Sequence, residues 1–258
     1  MGEIYRALTR AIREEEPVAL VTQIQGPNPG AKMLVGEESV QGSLKDDELD
    51  RAVIDEARKM LSVGEIATRH FGPKGEESGD EIEIFVRSFA PPPQMYVFGA
   101  VNLASAVVRI GKFLGYRVTL VDARKVFATK ERFPEADEIV VKWPDEFLAD
   151  AKVNRRTAIC ILTHDEKFDI PLLKIALKTP AGYIGAMGSR RTHQKRAQTL
   201  REEGVSEEDL ERIQAPLGLD IGGSDPEEVA VAVAGQIIAI KYGKSGGFLK
   251  HAEGRIHH

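Results

Sequence analysis

A single cysteine in 258 residues leaves no partner for an intramolecular disulfide, so the fold must be held by its core. No run approaches the ~18 apolar residues that a membrane-spanning helix needs. Neither sign of charge dominates. The 35 basic residues stand against 40 acidic ones, a formal net charge of -5, so the chain lacks the global positive field that draws proteins to nucleic acid or anionic lipid. Any anion must be held locally. The opening MGEIYRALTRAIREEE has no apolar signal core, and Arg6 stands where a myristoylation motif takes Ser or Thr. The expectation is a cytoplasmic protein that engages neither membrane nor nucleic acid. Internal repeats and low-complexity tracts are absent as well. What is present is ordinary globular material, 42% hydrophobic and 29% charged, long enough for a large domain plus a small one.

The chain changes character at Ala90-Pro91-Pro92-Pro93, where consecutive prolines make a stiff spacer without amide donors. The reading is a small α+β domain over 1–90 and a larger domain over 94–258. In the first, an amphipathic helix ends before Pro17, and short strands are expected at 17–24, 31–35 and 39–43, separated by Gly-Pro turn chemistry. A helix follows over 46–61, then a mobile loop over 71–80 and an alternating strand, EIEIFVRSF, over 81–89. In the second, MYVFGA, RVTLVDA, EIVV, TAICILT and AGYIGAMG alternate with helices at 102–114, 167–178, 190–203, 206–213 and 226–241. Strands separated by helices require right-handed crossovers and a parallel sheet covered on both faces, an α/β architecture.

Four places could carry chemistry. The first strand-to-helix turn offers Gly99 and Ala100 where a dinucleotide fold has three glycines, and Asp122 ends the next strand where such folds place the acid that grips a ribose. A nucleotide site with an eroded fingerprint and a bare turn with Asp122 paired to Arg124 are equally open. Thr163, His164 and Asp165 follow the strand TAICILT, at the edge where open parallel sheets bind ligands. His164 could relay a proton with Asp165 orienting it, or Asp165 could simply cap the next helix. With Asp169 and His193 these residues show no tight metal-ligand spacing of the His-Glu-x-x-His kind, so no metal site is assigned. The stretch Gly188-Ser189-Arg190-Arg191-Thr192-His193 places free amides and two guanidinium groups at a helix start, a combination suited to phosphate unless Ser189 is an ordinary cap. Gly218 and Asp220 lie in a Gly-rich turn before the last helix, which either shapes a second cofactor-binding loop or is a turn alone. Cys160, flanked by isoleucines in a strand, reads as a core filler.

Taken together, GAVNLASAVVRIGKFLGYRVTLVDAR, ILTHDEKFD, YIGAMGSRRTH and PLGLDIGGSDPEEVA, in that order, resemble the xanthine dehydrogenase accessory (XdhC) family of molybdenum-cofactor chaperones. ALVTQIQGPNPGAKMLV resembles that family's small first domain. The resemblance implies a Rossmann-like, cofactor- and nucleotide-binding second domain. It also implies a molybdopterin-type ligand, sulfuration with a cysteine desulfurase, and delivery to a xanthine dehydrogenase-type molybdoenzyme, by a chaperone that is not itself the dehydrogenase. Ser189, Arg190 and Arg191 would then hold the phosphate, Asp122 a ribose or pterin edge, and His164 with Asp165 would adjust protonation. Two cysteines frequent in relatives are replaced here by Ser78-Gly79-Asp80 and Asp46-Asp47-Glu48. An NAD(P)-dependent oxidoreductase and a nucleotide-sensing partner of a molybdoenzyme are the alternatives. A homodimer is the expected assembly, since closed two-fold dimers are the commonest oligomers.

Overall fold

Each sheet of this protein follows from how its strands distribute apolar side chains. The computed structural model describes residues 2–73, 75–76, 81–163 and 165–252, with Glu166 by its backbone alone. The chain divides into two units, Met1–Pro91 and Pro92–His258.

In the first unit, helix α1 (Glu3–Arg13) leads to strands β1 (Val18–Gln25), β2 (Lys32–Gly36) and β3 (Val40–Ser43). Helix α2 (Asp47–Val63) and strands β4 (Ile66–Phe71) and β5 (Ile82–Phe89) follow. The sheet is antiparallel, in the order β3-β2-β1-β5-β4. One face, with Ala19, Val21, Ile84 and Val86, packs on Leu49, Val53, Ala57 and Met60 of α2, and the other, with Val18 and Leu34, packs on Ala11 of α1. Asp46 caps α2 by accepting from Glu48 and Leu49 N–H. The sequence did not announce β4. Its residues alternate between exposed and half-buried up to the buried Phe71, and it is an edge strand whose pairing with β5, from Ile66 opposite Arg87 to Phe71 opposite Ile82, makes it a strand. Much of the loop expected over 71–80, including Ser78-Gly79-Asp80, lies outside the described residues.

The second unit runs β6 (Gln94–Phe98), α3 (Asn102–Phe113), β7 (Arg117–Val121), β8 (Glu138–Val140), α4 (Pro144–Asp150) and β9 (Ala158–Ile161). Then come α5 (Glu166–Ala176), β10 (Tyr183–Ala186), α6 (Arg190–Glu202), α7 (Glu207–Glu211), β11 (Ile213–Gln214) and α8 (Pro226–Lys241). All its strands are parallel, in the order β11-β10-β9-β6-β7-β8. Period-2 alternation assigns the faces. Met95, Val97, Val118, Leu120, Ala158 and Cys160 point to a core shared with α3 and α8, whereas Tyr96, Phe98, Val121, Ile159 and Ile161 point to one shared with α4, α5 and α6. This is the Rossmann-like sheet covered on both faces.

In this second unit two elements differ from expectation. Helix α4 is only seven residues, too short to signal itself, and is held by Leu148 in the core and by Phe147, whose ring meets Tyr96 edge-on at 5.3 Å. The helix expected over 206–213 ends at Glu211, because Ile213 leaves it to pair with Ile184 as β11.

Candidate functional site

The parallel strands deliver their loops to one edge, and the β6–α3 turn is built first. Gly99 has φ +104°, and a Cβ there would lie 3.0 Å from Thr163 Cγ2 and 3.2 Å from Thr163 N. Only glycine lets these two loops approach so closely. Gly99 N–H donates to Val121 O (2.9 Å), and Ala100 N–H donates to Asp122 Oδ2 (2.7 Å).

Asp122 is 4% exposed and fully engaged. Besides Ala100 N–H it accepts Arg124 N–H (2.8 Å), Arg124 Nε (3.0 Å) and Arg124 Nη2 (2.8 Å), filling the roughly four acceptor positions of a carboxylate. The acid that the sequence offers to a ribose or pterin edge is therefore spent on latching β7 to the β6–α3 turn, which corrects that expectation. A dinucleotide would have to displace one of those donors. Burial alone would raise the Asp122 pKa, but the Arg124 side chain and the Ala100 and Arg124 amides outweigh it and hold the carboxyl below its usual range. A depressed folded-state pKa contributes stability that is present above the unfolded value of about 3.9 and is lost as pH falls through the lower folded value. The stability difference between the parent and Asp122→Asn, from urea midpoints, should therefore narrow steadily below about pH 4. A gap that stays constant down to about pH 2 would contradict the latch.

A cleft of about 610 Å³ opens where β6, β7 and β9 end, lined by the Gly99 turn, Asp122–Arg124, Pro144, Thr163, Asp165 and Phe168. Strand β6 is flanked there by β9 and β7, so the cleft occupies the switch point at which open α/β sheets bind ligands. Phe168 stacks on Trp143 with ring centroids 5.2 Å apart. Asp165 caps α5 by accepting Lys167 N–H (3.0 Å) while also lining the cleft. His164 lies outside the described residues.

Behind Thr163 is a buried ionic cluster. Thr163 Oγ1 bonds Asp169 Oδ1, and Arg196 Nη2 reaches Asp169 Oδ2 (2.5 Å) and Met187 O (3.2 Å). The Asp169 and Arg196 side chains are each 1% exposed. Arg196 Nε and Nη1 find no acceptor among the described residues. The cluster ties the β9–α5 and β10–α6 loops together. Sequence reading named Asp169 but missed Arg196, whose signal was its spacing from Leu200 on the core-facing side of α6.

Gly188 opens on a different recess, about 400 Å³, shared with Val101–Leu103, Leu217 and Val229. Ser189 is an ordinary cap, its Oγ accepting Thr192 N–H (3.1 Å). Arg190 and Arg191 are exposed and line neither recess, which corrects the expectation that they face a crevice shared with Gly99 and Thr163. His193 is half-buried with Nδ1 unpartnered among the described residues, and burial with the charges of Arg196 and Arg201 lowers its pKa. Gly218 serves packing: φ is +104°, its N–H donates to Gln236 Oε1 (2.8 Å), and a Cβ would meet Ala232 at 3.2 Å. Asp220 is exposed and lines neither recess.

The family model for the XdhC Rossmann domain matches residues 95–237, more than half of the chain, and that for the XdhC and CoxI family matches residues 11–72. The chain belongs to the XdhC family. It is 26% identical over 234 residues to the uncharacterized protein YqeB of Escherichia coli, covering 86% of this chain and 42% of YqeB. It is 27% identical over 169 residues to the molybdenum cofactor insertion chaperone PaoD of E. coli, covering 66% and 46%. A probable xanthine dehydrogenase subunit of Bacillus subtilis is 26% identical over 155 residues, covering 60% and 45%. The alignments thus span less than half the length of these curated relatives. A crystal structure from Bacillus halodurans, described as a xanthine dehydrogenase, shares the fold with TM-score 0.54 at 19% identity, over 96% of this chain and 98% of that one.

Among the described residues of this XdhC chain, no group of three or more His, Cys, Asp or Glu side chains could hold a metal ion. Cys160 is wholly buried in β9, and burial pushes its thiol up to about 12. No helix among the described residues is long and apolar enough to cross a membrane.

Proposed function

We propose that this XdhC protein binds the molybdenum cofactor, a phosphorylated pterin, assists its sulfuration by a cysteine desulfurase, and passes it to a xanthine dehydrogenase-type molybdenum hydroxylase. The observation that carries this reading is the 610 Å³ cleft at the switch point of the parallel sheet. Its size suits a pterin with its phosphate, and its wall combines an aromatic ring, hydrogen-bonding groups and one accessible guanidinium. Arg124, 52% exposed, keeps Nη1 clear of the Asp122 pairing and is a cation on the cleft wall, held on the same carboxylate that accepts Ala100 N–H just before α3. Phosphate is assigned to that end, where free amides of the first helical turn add to it. Sulfur would not travel through this chain, because its one cysteine is buried and its thiol is protonated at neutral pH. The protein then holds the cofactor while the desulfurase acts, and needs no catalytic group of its own.

Titration with molybdopterin, followed by quenching of its fluorescence, tests this. Arg124→Ala should weaken binding about 10-fold, the loss expected for a charge-assisted hydrogen bond. Arg190→Ala combined with Arg191→Ala should change it by less than about 2-fold, as for surface charges outside the site. The reverse pattern would move the phosphate to α6, and a parent protein that does not bind would end the reading.

A further inference from the structure

Resting on that reading, we infer that Thr163 meets the ligand as a hydrogen-bond acceptor, so that the group lodged at the end of β9 is an exocyclic amino group of a heterocycle. The direction of the Thr163–Asp169 hydrogen bond decides this. An arginine stays protonated in proteins, and Arg196 is buried against Asp169 Oδ2 at 2.5 Å. A neutral Asp169 would leave that guanidinium uncompensated in the interior, so the carboxyl is a carboxylate. A carboxylate has no proton to give, and the proton between Thr163 Oγ1 and Asp169 Oδ1 therefore belongs to threonine.

Turning the hydroxyl about Cβ–Oγ1 to donate into the cleft would leave Thr163 Oγ1 and Asp169 Oδ1 facing each other with no hydrogen between them, so the proton stays on the carboxylate side. Thr163 lines the cleft, its proton is committed away from it, and no donor among the described residues reaches its oxygen. It offers the ligand lone pairs only. Asp165, the next described residue on the same wall, has one oxygen on Lys167 N–H and is likewise an acceptor. Two acceptors, one of them a carboxylate, repel phosphate at this end and welcome an amino group, while Phe168 and Pro144 supply an apolar wall for the ring that carries it.

The test uses two pairs in which an amino group is exchanged for a carbonyl: pterin against lumazine, and cytidine diphosphate against uridine diphosphate. Binding is measured calorimetrically to the full chain. The parent and Thr163→Ser should prefer the amino member of at least one pair by about 10-fold, and Thr163→Val should bring that ratio within about 2-fold of unity. Preference within the pterin pair supports both this inference and the cofactor reading. Preference within the nucleotide pair alone supports the amino-acceptor role and contradicts the pterin. Equal binding of both members in both pairs, or a preference that persists in Thr163→Val, overturns the inference and leaves cofactor binding standing. No binding by any of the four overturns both. If Thr163→Val does not fold, the ratios in the parent and Thr163→Ser decide.

Discussion

Asp169→Ala should lower the unfolding free energy of the C-terminal unit by about 3–5 kcal/mol, the largest effect expected of any single substitution in this protein. Arg196 is 1% exposed, and without Asp169 its remaining partner among the described residues is Met187 O (3.2 Å). A guanidinium left uncompensated in the interior loses hydration that nothing replaces, and its Nε and Nη1 already have no acceptor among the described residues. The sole tryptophan, Trp143, belongs to this unit, so its fluorescence during urea denaturation reports on the right core. Asp169→Leu combined with Arg196→Met removes both charges and should return stability to within about 1 kcal/mol of the parent. A loss below about 1 kcal/mol in Asp169→Ala would mean that the pair is solvated and contributes little.

Gly99→Val should both strain the unit and close the cleft. The residue has φ +104°, and holding a β-branched side chain in that region costs about 1–3 kcal/mol. The new Cβ would press on Thr163 from 3.0 Å, and β6 and β9 cannot separate because Phe98 is paired with Ile161. Molybdopterin affinity should fall about 30-fold or more, equivalent to about 2 kcal/mol. Gly115→Ala separates strain from closure, since Gly115 has φ +81° and nothing within 4 Å of its Cβ position. It should lose about 1 kcal/mol of stability and no affinity. Unchanged binding by a folded Gly99→Val would exclude this cleft as the cofactor site.

The site was partly legible in the sequence. Gly99, Thr163 and Asp165 could be placed together because a parallel sheet sends the carboxyl ends of β6 and β9 to one edge, and the strands themselves were plain from their apolar runs. Asp122 was visible as the acid ending β7, but its engagement by Arg124 depends on a turn geometry that no spacing rule specifies. The stretch from Ser189 to His193 misled for a related reason. At 100° per residue, Thr192 and His193 share a face of α6 with Arg196, whereas Arg190 and Arg191 lie about 120–140° around the helix. Leu200 and Ala197 turn the Arg196 side inward, which leaves the two conspicuous arginines on the outside.

The order and type of most elements and the change from an α+β unit to a parallel α/β unit were written in the chain itself, because apolar periodicity and turn glycines act over a few residues; the family was legible only as a resemblance of whole blocks such as YIGAMGSRRTH. Which loops converge was decided only by tertiary structure. Gly188 opens on its own recess rather than on the Gly99 cleft, and a buried arginine rather than an exposed pair is linked to the site. Side-chain direction on a helix is set by the face that buries against the sheet, and that choice minimises exposed apolar area over the whole unit rather than over any one motif.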